Sequence, residues 1–285
     1  MTSAPRAGGL FFGTAGVPFS AEDDSTLAGL ERIKALGLDA QEIEFVQGVK
    51  MGLDTARAVR AKAEALGVRL SVHAPYHINL NSEDPGKRLA SQERLLKTAR
   101  VGDACGATSA VFHAAFYGKD APEKAYATVK RELQTVLSIL RSERLKIALR
   151  VETMGKRSQF GSLDEVLSLC RELDGLRPCL DFSHLHAREG KINSYGEFER
   201  VLAKVARKLG PRALKNVHIH IAGIHYGDKG EIKHLNLEET DFRTDEWLQA
   251  LRDLGVEGTV ICESPNLEGD AVMLKKLYEA SREPS

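Results

Sequence analysis

Six apolar runs of the chain close on a residue that can bind a metal ion. "VRLSVHAP" turns polar at His73, "SAVFHAA" at His113, "KIALRVET" at Glu152, "RPCLDFSH" at Asp181, "NVHIHIAG" at His220 and "GTVICES" at Glu263. One such residue alone would more often satisfy a hydrogen bond than hold an ion. Six in succession ask for another account. Carboxylates brought together repel, and each buried charge needs a counter-charge. Divalent cations meet that need. A His/Asp/Glu set without thiolate suits zinc, manganese or iron. Six donors exceed what one tetrahedral ion takes, so at least two ions are expected, and clustered ions point to phosphate-ester chemistry.

Residues so far apart in sequence meet only if the fold collects strand ends. Eight strand candidates are present, "GLFFGTAG" and "AQEIEFV" preceding the six above. Helical patterns separate them, several closing on a glycine suited to a helix C-cap, as at Gly37, Gly67 and Gly106. This alternation predicts an α/β chain folded as a single (β/α)8 TIM-barrel domain over residues 1–285, whose C-terminal strand ends surround one mouth. The competing doubly wound sheet would carry a Gly-rich phosphate loop opening a helix, and "GGLFFGTAG" opens none. His218 lies two residues before His220, on the same strand face but deeper, and reads as a core residue or a support for a ligand. His186 and His225 are expected in loops near the mouth, and His77 fits either reading.

Bulk composition narrows the partners. Lys plus Arg equals Asp plus Glu, 40 against 40, which excludes a general attraction to polyanions and leaves local patches to supply any. None of Cys105, Cys170, Cys179 and Cys262 forms a CxxC pair, which argues against a zinc ribbon or redox motif and for a reducing, cytoplasmic setting. The start "MTSAPRAGGLFFGTAG" shows neither a signal peptide nor a membrane span. A monomer without membrane contact is expected.

Taken together, "HAPYHINL", "FHAAFYG", "VETMGKRSQFG", "LDFSHLHAREG", "HIHIAG", "KHLNLEE" and "VICESPN" resemble, in order and spacing, the endonuclease IV family. These are metal-dependent (β/α)8 enzymes that incise DNA at abasic sites. The resemblance implies three zinc ions. His73, His113 and Glu152 match the ligands of one. Glu152 would bridge to a second, shared with Asp181, His220 and Glu263. His184 and His234 match ligands of the third. It further implies that a hydroxide bridging metals, with Glu152 as the bridging carboxylate and Glu263 orienting the hydroxide, attacks the phosphorus 5′ to the abasic sugar of double-stranded DNA. Tyr76 matches a tyrosine that contacts the gap at the lesion, and Lys156 and Arg157 are candidate phosphate contacts among several cations that follow strand ends.

The chain departs from that pattern in two places. Where the family has an aspartate, two residues before the histidine matched by His234, stands Ile232. Glu231 is the candidate replacement. "IEFVQGVKMG" lacks the aromatic, arginine-bearing DNA loop of better-known members, and "GIHYGDKGEIKHLNLEETDF" looks like a divergent branch. The same superfamily holds sugar and sugar-phosphate isomerases and epimerases, which place a similar set at the mouth for one or two ions. The discriminating residues are His184 and His234, whose third ion proton or hydride transfer on a small sugar does not need.

Overall fold

In the computed structural model, which describes residues 9–280, eight parallel strands close on themselves. They are β1 (Leu10–Ala15), β2 (Ala40–Glu44), β3 (Arg69–His73), β4 (Ser109–Phe112), β5 (Ala148–Glu152), β6 (Leu176–Asp181), β7 (Val217–Ile221) and β8 (Gly258–Cys262). Each pairs with its sequence neighbours, and β8 pairs with β1 to seal the ring. The expected TIM barrel is therefore the observed one. Alternation along each strand divides the work. In β7, Val217, Ile219 and Ile221 join the hydrophobic core, while His218 and His220 carry the polar chemistry. An inward face of polar groups is stable only where those groups find partners or ions.

The helices begin where local sequence satisfies their free N–H groups. Asp84 caps α3 (Pro85–Ala104), accepting from the N–H of Gly86 and Lys87. Ser162 and Glu165 form a reciprocal capping box at the start of α5 (Leu163–Glu172). Gly67 ends α2 (Leu53–Leu66) in the left-handed conformation, as its position after the periodic residues predicts. Trp247, the one tryptophan, is fully buried on α8 (Thr244–Asp253) among Phe182 and Phe242.

Two segments differ from the sequence-based expectation. Residues after Asp181, expected as a turn, form a helix, α6 (Phe182–Glu189), because the Asp181 carboxylate accepts from the His184 N–H at 2.7 Å and caps it. His186 is consequently not a loop residue. It is buried on α6, with Nε2 3.2 Å from Asp241 and its ring against Tyr226. The segment expected as a long loop after β7 is an antiparallel hairpin of Gly223–Gly227 and Gly230–Leu235, with His225 exposed on its first strand. No helix among the described residues is long and apolar enough to cross a membrane. The reading of residues 1–8 as free of a leader, and Ser281 at the end of the last predicted helix, lie outside the described residues.

One seam of the ring depends on a small residue. A Cβ on Gly13 would stand 2.0 Å from the carbonyl oxygen of Ala40, its register partner across the β1–β2 seam. Backbone, unlike a flexible side chain, cannot step aside. Gly13→Ala should therefore destabilise the barrel by about 2–3 kcal/mol, read from denaturant unfolding. An unchanged midpoint would show that the seam is looser than its geometry indicates.

Candidate metal centre

Glu152, at the end of β5 and 1% exposed, is the meeting point of the site. Its Oε2 lies 3.2 Å from His73 Nε2 and 3.2 Å from His113 Nε2, and 3.6 Å from His220 Nδ1. Its Oε1 lies 3.1 Å from His184 Nδ1. His113 and Glu263 stand one residue past their strands, where the backbone turns outward over the mouth. Glu263 Oε1 is 3.1 Å from His220 Nδ1. The donor atoms fall into groups whose members lie within 4.8 Å of one another: His73, His113 and Glu152; then Glu152, Asp181, His220 and Glu263; then His184, Glu231 and His234. All eight residues matched to ligands by sequence come together here, and Glu231 joins them.

The third group is assembled by the hairpin. Glu231 Oε2 and His234 Nε2 lie 3.5 Å and 3.4 Å from His184 Nε2. The hairpin docks like an added strand on the loop after β5. The Glu231 N–H donates to the Gly155 carbonyl, and the Arg157 N–H to that of Lys229. Gly230 permits this approach. It has φ +92, and a Cβ there would stand 2.1 Å from the Gly155 oxygen. Gly155 in turn leaves room for Glu231 and His184. The candidate Glu231 thus reaches the donors of His184 and His234. A register shift in the hairpin, where His225 pairs with Lys233 but Tyr226 pairs with Glu231, leaves Ile232 as the extra residue and turns Glu231 toward the face of His234.

The arrangement fits metal ions on its own evidence. Glu152 Oε1, Asp181 Oδ2 and His220 Nδ1 are buried and close to opposing ring or carboxylate atoms, yet none of these contacts has the geometry of a hydrogen bond. Ring orientation sharpens the point. The Nδ1 of His73 faces the Ala74 carbonyl at 2.8 Å and must carry its proton there, which leaves Nε2 a lone pair aimed at the Glu152 carboxylate. His184 Nδ1 faces the Thr153 carbonyl and His234 Nδ1 that of Glu263, so their Nε2 lone pairs face each other. Lone pairs converging on lone pairs require a cation between them, whether a proton or a metal.

Electrostatics agree. Burial opposes a charge on His73, yet the Glu152 hydrogen bond and the Glu44 and Glu152 charges outweigh it and raise the ring to about 10. Burial likewise opposes protonation of His184 and His220, and the surrounding acidic groups, Asp181 foremost for His184, drive both upward. Glu152 is held well below the carboxylate range despite burial, by His113 and His220. Glu263 falls to about 2 through His220, while burial lifts Asp181 to about 6.

Two carboxylates escaped the reading of the sequence. Glu42, fully buried on β2, lies 2.9 Å from His218 Nε2 and 2.8 Å from His220 Nε2, and so fixes the ring that faces Glu152. His218 is a support for this pair, buried and lowered to about 4 by desolvation against the opposing pull of Glu42. Glu44 lines the mouth and is raised to about 8, chiefly by burial. The signal was available. "EIE" within an apolar strand puts two carboxylates on one buried face.

The mouth encloses a cavity of about 470 Å3. Tyr76, 58% exposed, and Phe116 line it as the exposed aromatics, and Lys156 is its one lysine. Arg157 does not line it; its Nε donates to the Arg188 carbonyl. Arg188, expected among the rim cations, is buried and donates to the Lys156 and Gln159 carbonyls, holding the loop after β5 in place. His77 is exposed beside Tyr76 and outside the donor groups.

Comparison with known proteins gives the following. The family described as xylose isomerase-like TIM barrel matches residues 30–283. An uncharacterized protein of Methanocaldococcus jannaschii is 46% identical over 94% of this chain and 97% of its own. A probable endonuclease 4 of Mycoplasma pneumoniae is 27% identical over 67% of this chain and 65% of its own. Endonuclease IV from Thermus thermophilus superposes with a TM-score of 0.73 at 19% identity, covering 94% and 98% of the two chains. A D-tagatose 3-epimerase-like protein superposes with a TM-score of 0.68, also at 19% identity, covering 94% and 96%. Likeness at this identity speaks for the fold alone.

Two measurements test the centre. Because His73, His184 and His220 are raised, these rings hold protons at neutral pH in the metal-free site, and a metal must displace them. Zinc binding should release protons and tighten as pH rises, seen by calorimetry in buffers of different ionisation enthalpy; proton-neutral binding would count against these ligands. Gly230→Ala should push the hairpin from the loop after β5 and weaken one ion by about tenfold or more while the others stay. Uniform retention of all ions would detach the hairpin from the third group.

Proposed function

The chain belongs to the xylose isomerase-like TIM barrel family, and from that premise we propose that it is a zinc-dependent endonuclease that hydrolyses the DNA phosphodiester 5′ to an abasic site. The observation that carries this reading is the third donor group, His184, Glu231 and His234, set beside the two that share Glu152. A sugar isomerase or epimerase has no use for a third ion. Phosphodiester cleavage does, because negative charge grows on both the attacking and the departing oxygen. The distant relatedness to a probable endonuclease 4 lends support from sequence.

His73 and His113 with Glu152 would hold one ion, Asp181, His220 and Glu263 with Glu152 the next, and His184, Glu231 and His234 the third. Bound divalent ions supply the positive charge that activates water and stabilises the leaving oxygen. The chain's own groups do the rest. Glu152 fixes the spacing between the first two donor groups. Glu42 holds the His220 ring in place from behind. Glu263, gripped by His220 on one side, is placed to orient a water molecule. Tyr76 and Phe116 offer exposed rings at the rim, where an aromatic face can fill the gap left by a missing base. Lys156 is positioned for a backbone phosphate.

Acidic residues at the mouth make the dependence on metal stronger than catalysis alone requires. Glu44, Glu231 and Glu263 line it against one lysine. Without ions such a mouth has few cations of its own to attract phosphate.

The expected outcomes are three. Chelation should abolish binding to an abasic duplex as well as its incision, and zinc should restore both. Glu152→Gln and His184→Ala should each lower incision by about 100-fold or more with the barrel still folded. Binding should weaken steeply with salt if several phosphates are neutralised. Intact abasic duplex after incubation with the zinc-loaded protein, together with epimerisation of a ketohexose, would replace this reading with the epimerase one.

A further inference from the structure

A second cavity, of about 390 Å3, opens at the other end of the barrel. The first residues of β6 and β7 line it, together with the last turns of α5 and of α7 (Tyr195–Leu209). Five cations surround it, Arg150, Arg171, Arg177, Lys208 and Arg212, and no carboxylate does. Among the described residues, Arg171, Arg177, Lys208 and Arg212 have no carboxylate within ion-pair distance. A solvated surface normally intersperses the two signs.

Helix dipoles account for part of this. Arg171 and Lys208 sit in last turns, where the negative helix end favours a cation. They do not account for Arg150 and Arg177, which stand on strands and are direct register partners across β5 and β6. Like charges placed opposite each other in a sheet destabilise it. Arg150 is moreover buried, and its guanidinium donates only to neutral acceptors: the Ser109 hydroxyl, the Pro178 carbonyl, and the carbonyl and side-chain oxygens of Asn216. Burial, with Arg177 adding to it, lowers this guanidinium to about 10. A buried cation beside another cation, with only the Glu42 carboxylate beyond ion-pair distance to offset it, is a condition that a bound anion relieves.

We propose that this cavity binds a small organic phosphate, a compact molecule carrying a phosphoryl group beside an apolar moiety. Guanidinium forks match phosphate oxygens in number and geometry. The opposite wall is apolar, with Leu180, Val205, Leu209 and Val217, so an apolar or flat ring has somewhere to lie. The volume is that of a small-molecule pocket, whereas a polynucleotide would ask for an open groove. The site is independent of the metal centre and of the reaction assigned to it.

The test is calorimetric titration of the zinc-loaded full-length chain with adenosine monophosphate, inorganic phosphate and adenosine. Adenosine monophosphate should bind saturably and more tightly than phosphate, and adenosine should not bind. Lys208→Glu with Arg212→Glu, both away from the core, should weaken adenosine monophosphate by about tenfold or more and leave activity at the mouth unchanged. Arg177→Gln, which removes one of the facing charges, should weaken it too and guards against a misfolded double variant. Equal binding by wild type and variants would place the nucleotide at the metal centre and overturn the proposal. So would the absence of saturation in the millimolar range. Undamaged duplex that displaces the nucleotide and loses affinity in the same variants would make the surface a nucleic-acid contact instead.

Discussion

A single buried carboxylate organises this molecule. Glu152 is surrounded by imidazoles of His73, His113, His184 and His220 at 3.1 to 3.6 Å, each delivered by a different element. Ring nitrogens facing carboxylate oxygens at that range cohere through hydrogens carried on the rings or through metal ions between them. The barrel provides what this demands. Eight strand ends around one ring let groups as far apart in sequence as His73 and His220 face the same carboxylate on a rigid frame.

The frame alone does not complete the site. Its outer part is carried by a hairpin inserted after β7 and pinned to the loop after β5, with two glycines, Gly155 and Gly230, allowing backbone to meet backbone. Arg188 ties that loop from below through its carbonyls. The hairpin is therefore a fixed wall that carries candidate ligands, Glu231 and His234. Within a family whose barrels superpose so well, such additions to the mouth, more than the barrel itself, decide what substrate is accepted.

Net charge near zero conceals a strong polarity along the barrel axis. The mouth collects Glu44, Glu152, Asp181, Glu231 and Glu263, and the floor collects arginines around Arg150 and Arg177. Between them stand Glu42 and His218, a hydrogen-bonded pair that keeps the interior layers from facing one another as bare charges. Each end calls for a complementary charge from outside the chain, cations above and an anion below. Both demands come from burial, because the same groups in water would be screened.

The sequence by itself determined the alternation of strands and helices, the barrel, and the donors at six strand ends, because apolar runs that end abruptly in His, Asp or Glu leave few other folds able to use them. It also supplied His184 and His234, through motifs and not through spacing. Three things were decided only in three dimensions. Asp181 reads as a strand-end donor, yet it also caps α6, and that cap buries His186 where a loop had been expected. Glu231 reads as a residue out of register, and only the hairpin's docking brings its carboxylate to His184. Arg150 and Arg177, far apart along the chain, become neighbours through the pairing of β5 with β6. The physical reason is common to all three. Hydrophobic periodicity is written into each segment and can be read locally, whereas the partner of a polar group is chosen by whichever distant backbone the closed barrel sets against it.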